Sequence, residues 1–131
     1  MSLESQETEI TPRNIRWLAG ILEGEGSFSM SKRSNPCIQM GTNDKDVALR
    51  AAAILGVPYS THAHELRSPG SYSCNYRLRA GSNLAIQWMM TLYSLMGNRR
   101  RAKIKELLDY WKGHTNMQNS QTTVHRNAWT D

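Results

Sequence analysis

The chain has 131 residues, 39% of them apolar, which is the size of one domain and enough to bury a core without disulfide or metal staples. Lys and Arg outnumber Asp and Glu 16 to 11 for a net +5, and three of the acids, Glu4, Glu7 and Glu9, open the chain, which leaves 16 against 8, or +8, on the rest and suits a nucleic-acid partner. Two isolated cysteines exclude a disulfide framework and a cysteine zinc site, and no apolar run or signal-peptide pattern marks a membrane span or secretion, so a cytosolic or nucleoid setting is expected.

Residues 1–10 read as a flexible acidic leader. Thr11-Pro12 then marks a helix start, a hydroxyl to cap backbone N–H groups before a residue whose fixed φ suits the first turn. Ile15, Leu18, Ala19 and Leu22 follow at i, i+3, i+4 and i+7, one apolar stripe. Two features cut against a plain helix. Gly20 and Gly24 lie inside it at ~1 kcal/mol each relative to alanine, and Glu23 and Glu25 crowd the C-terminal end, where the dipole disfavours carboxylates. Both conflicts are resolved if the small residues admit a second helix backbone and a divalent cation offsets the carboxylates. The alternative is an amphipathic core helix ending at a glycine turn.

The next stretch alternates, with Phe28 and Met30 on one side of Ser27–Arg33 and Ser27, Ser29, Ser31 and Arg33 on the other. Ser34-Asn35-Pro36 is a turn, and Cys37–Thr42 alternates again with Ile38 and Met40 opposite Gln39, which completes a hairpin. Thr42-Asn43-Asp44 offers N-caps for a helix over Asp44–Leu55 that stops at Gly56. A second ribbon, Tyr59–Arg67 and Tyr72–Ala80, flanks Ser68-Pro69-Gly70-Ser71, with Ser73, Asn75, Arg77 and Arg79 sharing a face. Gly81-Ser82 precedes a helix over Asn83–Met96, and Gly97-Asn98 separates it from another over Arg99–Lys112. Residues 114–131 are polar and aperiodic and read as a tail, which bounds the domain at 11–113. The order α-β-β-α-β-β-α-α is α+β.

A two-stranded ribbon fits the DNA major groove, and a strand advances ~3.4 Å per residue, near the rise of one DNA step. The polar faces therefore carry candidate DNA contacts: Ser27, Ser29, Ser31, Lys32, Arg33 and Gln39 on the first hairpin, and His62, His64, Arg67, Ser73, Asn75, Arg77 and Arg79 on the second. Arg77, Arg79 and Asn75 weigh most, because Arg to guanine and Asn to adenine are favoured bidentate pairs. A half-solvated sheet without a ligand has the same alternation. A zinc site on His62 and His64 lacks companion ligands. Arg99-Arg100-Arg101 set three cations at a helix N-terminus, which is either a solvated charge run or a phosphate site built from helix N–H groups and guanidinium forks.

Leu18-Ala19-Gly20-Ile21-Leu22-Glu23-Gly24-Glu25-Gly26-Ser27-Phe28 resembles the signature of the LAGLIDADG homing endonucleases, with Glu for Asp at both acidic positions. The element order over residues 12–112 is similar to the core of that family, a curved antiparallel sheet backed by helices that forms a DNA-binding saddle. The resemblance implies a homodimer, since the signature occurs once, with Leu18, Ala19, Gly20, Leu22, Glu23 and Gly24 at the interface. It implies Mg²⁺ (Mn²⁺ substituting, Ca²⁺ binding without cleavage) on Glu25 and the Gly24 carbonyl. It implies a basic residue beside the scissile phosphate, for which Arg99 is the first choice and Arg101 the second, and a water-ordering polar residue at Asn43 or Thr42. The implied activity is cleavage of both strands of a long, roughly palindromic duplex to leave short 3′ overhangs, in an organelle where the host element is organellar. A non-cutting binder on the same fold, such as an RNA-binding intron maturase or a transcription regulator, is the competing reading. A dimerising domain that touches no nucleic acid is the third.

Overall fold

A computed structural model describes residues 7–31, 35–65 and 72–113, the side chains of 62–65 and 72–74 excepted. The first helix, α1 (Pro12–Glu25), runs straight into the hairpin β1 (Gly26–Met30) and β2 (Pro36–Thr42). Then come α2 (Lys45–Leu55), β3 (Tyr59–Glu65), β4 (Tyr72–Gly81), α3 (Ser82–Leu92), a 3-10 turn (Tyr93–Leu95) and α4, residues 98–113. The four strands form one antiparallel sheet in the order β1-β2-β4-β3. The chain is α+β, as its element order predicts. Among the described residues no helix is long and apolar enough to cross a membrane.

Local chemistry sets the helix ends. Thr11 Oγ1 accepts the Asn14 N–H at 3.2 Å ahead of Pro12. Asp44 Oδ1 accepts from Asp46 N–H and Val47 N–H, and α2 ends at Gly56 with φ +82°, where a side chain would be strained. Leu18 and Leu22 of α1, Phe28, Ile38, Met40 and Leu78 of the sheet, and Met89 and Leu92 of α3 share one core between the sheet and the helices. The Trp88 indole N–H is satisfied inside that core by the Leu55 carbonyl at 3.1 Å. Each fully buried leucine contributes about 1.5–3 kcal/mol.

Three boundaries differ from the sequence reading. The first strand ends at Met30 rather than Arg33, because Ser31 closes the hairpin: its N–H donates to the Asn35 carbonyl at 2.7 Å and its hydroxyl accepts from Asn35 N–H. The third helix ends at Leu92, and an exposed 3-10 turn then brings Met96 back to the core. Residues 7–10, read as flexible leader, are tied to the fold. Arg50 donates to the Glu7 carbonyl and to Asn14 Oδ1 and stacks on the Trp17 ring at 4.1 Å, while buried Asn14 donates to the Glu9 carbonyl. Lys32, Arg33, Arg67 and the tail at 114–131 lie outside the described residues.

Candidate nucleic-acid interface

The pleat and register of the sheet decide which side chains share its open face. Ser27, Gln39 and Arg79 are aligned across β1, β2 and β4, and Gly41, Arg77 and Ser60 form the next rung across β2, β4 and β3. One rung further, the backbones of Asn75 and His62 pair, and those of Ser73 and His64 pair beyond them. Ile38, Met40, Leu78 and Ala80 alternate onto the opposite, buried face. A cleft of about 590 Å³ opens on the polar side, walled by Glu25, Ser27, Gln39, Ser60, Arg77 and Arg79 with Tyr59. The structure thus brings together an acid from α1 and four of the sequence-predicted DNA contacts. Ser60 is an addition; it lies one strand from Arg77, and its place on that rung follows from register alone.

Side-chain bonds organise the arginine at that rung. Arg77 Nε donates to Asn75 Oδ1 at 3.0 Å, and Asn75 Nδ2 donates to Asn43 Oδ1 at 3.4 Å. Gly41 lies beneath, where a Cβ would come within 3.0 Å of Asn75 Oδ1. Ser29 faces a second cavity and its hydroxyl is 3.3 Å from the buried Cys37 sulfur.

The structure places several sequence-predicted site residues away from the cleft. Thr42 is buried, and its hydroxyl accepts the Asp44 N–H at 3.1 Å, so it supports the start of α2. Asn43 belongs to the Asn75 network and lies outside the cleft beside Glu25. Ser31 serves the hairpin turn. Leu18, Ala19 and Leu22 are 0%, 3% and 0% exposed inside one chain, so they face the sheet and not a partner. The exposed strip of α1 contains Arg13, Arg16, Gly20 and Gly24, and a Cβ on either glycine would meet nothing within 4 Å.

Glu23 is not at that strip either. Its Oε1 accepts the Gly97 N–H at 2.7 Å, its Oε2 faces Arg100 Nε at 3.5 Å, and its carbonyl accepts from Arg100 Nη2 at 3.2 Å. Two unfavourable dipole placements thereby cancel. The carboxylate at the end of α1 sits at the start of α4, and the guanidinium at the start of α4 sits on the end of α1. Of the three consecutive arginines, Arg100 is committed to this contact, Arg101 bonds Asn98, and Arg99 is exposed. None of them lines the cleft beside Glu25.

No protein-family model and no curated protein matches the chain. Among solved structures it is similar to the homing endonuclease I-CvuI, crystallised in complex with the I-CreI target in 2 mM Mg with the DNA not cleaved. The identity is 14% and the TM-score 0.49, and the match covers 74% of this chain and 64% of that one. Residue roles here rest on this chain's own geometry.

Proposed function

We propose that the chain is a metal-dependent, site-specific DNA endonuclease that acts as a homodimer on a long, roughly palindromic site and leaves short 3′ overhangs. The observation that carries this reading is the place of Glu25. The last acid of the signature helix is exposed on the wall of a cleft whose other polar groups are Ser27, Gln39, Ser60, Arg77 and Arg79. A carboxylate aimed where phosphates would lie serves a cation better than it serves plain binding.

The donor set fits Mg²⁺ of a particular kind. Among the described residues no three His, Cys, Asp or Glu side chains cluster, which argues against an all-protein cage. One exposed carboxylate on the cleft wall of each chain, with the Gly24 carbonyl from the last helical turn, suits an ion that keeps its waters and takes phosphate oxygens from the substrate. Bound there, Mg²⁺ supplies an activated water and charge stabilisation for the leaving oxygen. The sheet rungs hold the duplex and read base edges through Arg77, Arg79 and Gln39. Arg99 and Arg101, at the start of α4, offset phosphate charge with planar, forked guanidinium groups. The exposed glycine strip of α1 lets two copies approach so that one Glu25 serves each strand.

The test is nicking and linearisation of plasmids carrying a randomised site library. Cleavage is expected with Mg²⁺ or Mn²⁺ and not with Ca²⁺, and Glu25→Gln should lose it. RNA binding without any DNA scission would replace this reading with the maturase.

A further inference from the structure

We infer that Glu23 and Arg100 are positioning residues, a clamp between the end of α1 and the start of α4 that sets where the Glu25 carboxylate stands. The inference rests on the endonuclease reading above and assigns these side chains a part in it that the motif alone does not supply.

The geometry is specific to one residue of α1. Glu23 is held three times, through Oε1, Oε2 and its backbone carbonyl, by Gly97, which flanks α4, and Arg100 in its first turn, 74 and 77 positions along the chain. Gly97 is the residue whose carbonyl receives the first α4 bond, from Arg101 N–H at 2.9 Å, so Glu23 caps α4 from outside it. A Cβ at Gly97 would overlap Glu23 Oε1, so any side chain there requires the carboxylate to leave the Gly97 N–H. Glu23 Oε2 and Arg100 Nε are shielded from water without a hydrogen-bond partner, so they face one another as charges.

The consequence follows from position. Glu25 is two residues beyond Glu23, in the last turn of a helix whose final carbonyls lack intrahelical donors. Such an end frays unless something outside it supplies donors, and Arg100 Nη2 supplies one at the Glu23 carbonyl. The clamp also fixes the start of α4, and with it the neighbouring Arg99. One contact therefore sets the separation of a carboxylate and a guanidinium that, on that reading, serve one phosphate. Small misplacements are costly in such sites; ~1 Å can lower a rate ~100-fold.

The experiment uses the full chain and a duplex selected by wild-type cleavage. Glu23→Ala removes every side-chain contact, Glu23→Gln keeps an acceptor for Gly97, and Arg100→Lys keeps the charge but loses the fork. Three readouts are compared: hydrogen exchange at the Gly97 amide, Mn²⁺ affinity of the protein–DNA complex by electron paramagnetic resonance, and kcat against KM. With Glu23→Ala, Gly97 exchange should quicken at least ~10-fold, Mn²⁺ affinity should weaken ~10–100-fold and kcat should fall as far, in the range seen when groups that orient a metal ligand are removed. DNA affinity in Ca²⁺ should stay within about threefold, since Glu23 touches no groove residue. Glu23→Gln should restore Gly97 protection and part of kcat. Fast Gly97 exchange with unchanged Mn²⁺ affinity and kcat would overturn the clamp alone. A wild-type chain that neither cleaves nor binds Mn²⁺ through Glu25 would overturn the endonuclease reading and the clamp with it, whatever Gly97 exchange shows.

Discussion

Glu25 and Glu23 are two residues apart and have opposite surroundings, one exposed on the cleft wall and one held at the start of α4, which makes them a controlled pair at the scale of single residues. Glu25 is exposed and has no packing role, so Glu25→Gln should leave the melting temperature unchanged while lowering cleavage by on the order of 10²–10³-fold or more. Thermal unfolding beside a cleavage time course checks both halves. Asn75 offers a second test at this scale. It holds the Arg77 Nε–H, so Asn75→Ala frees the guanidinium without removing it. Base discrimination at one position in each half-site should fall by about 1–3 kcal/mol, while non-specific affinity at the same salt should hold. Selection from a randomised site library reads this as one relaxed column. Thr42 gives the structural counterpart: Thr42→Val should cost ~1 kcal/mol through the lost Asp44 N–H partner and change cleavage no more than stability does.

At the scale of elements, the signature part of α1 has two faces hard to tell apart in sequence, one apolar and one carrying Gly20 and Gly24. Periodicity places Ile15, Leu18, Ala19 and Leu22 on one stripe, and that stripe is buried; the sheet occupies it, a fact that depends on how the chain folds back. The same limit hides the clamp. Successive residues of a helix diverge by about 100°, so Arg99, Arg100 and Arg101 point in three directions, and only the approach of α4 to α1 selects the middle one. Caps and strand alternation were legible because they are local: Thr11, Asp44 and Gly56 act within four residues. The place of Thr42 is not legible in sequence, because a hydroxyl beside a helix start serves equally as a cap or a water ligand until burial is known. The open strip then yields a prediction whose two halves oppose each other. Gly20→Ala and Gly24→Ala place a methyl in open space, so each should stabilise the isolated chain by up to ~1 kcal/mol through helix propensity. If two copies meet there, the same methyls push their backbones apart. Sedimentation should show a weaker dimer while melting at high dilution shows a more stable monomer. By contrast, the exposed Lys105–Asp109 pair on α4 bears on neither property. The Asp109 hydrogen bond and charge raise the Lys105 pKa above its ordinary 10.5, so any stabilisation is complete at neutral pH and fades only as pH rises through that raised value.

The whole molecule joins a basic body to an open polar face with one acid per chain. On the proposed reading a net +5 and the arginines on the sheet would make phosphate contact the main source of DNA affinity, so binding should weaken steeply with salt through counterion release. Symmetry makes the sharper demand. If the proposed homodimer places one Glu25 at each strand, each half of the dimer is answerable for one cut. A mixed dimer of wild-type and Glu25→Gln chains, isolated through two different tags, should still bind the site and still require Mg²⁺. It should convert supercoiled plasmid to the nicked circle and stop there, at no more than about half the wild-type rate of first-strand cleavage if the two sites act independently. On an asymmetric variant of the target that orients the dimer, sequencing should find the nick on one strand only. Linear product from the mixed dimer would mean that one Glu25 can serve both strands, and loss of all cutting would mean that both acids build a single shared centre. Either outcome would require a different arrangement of α1 about the two-fold axis.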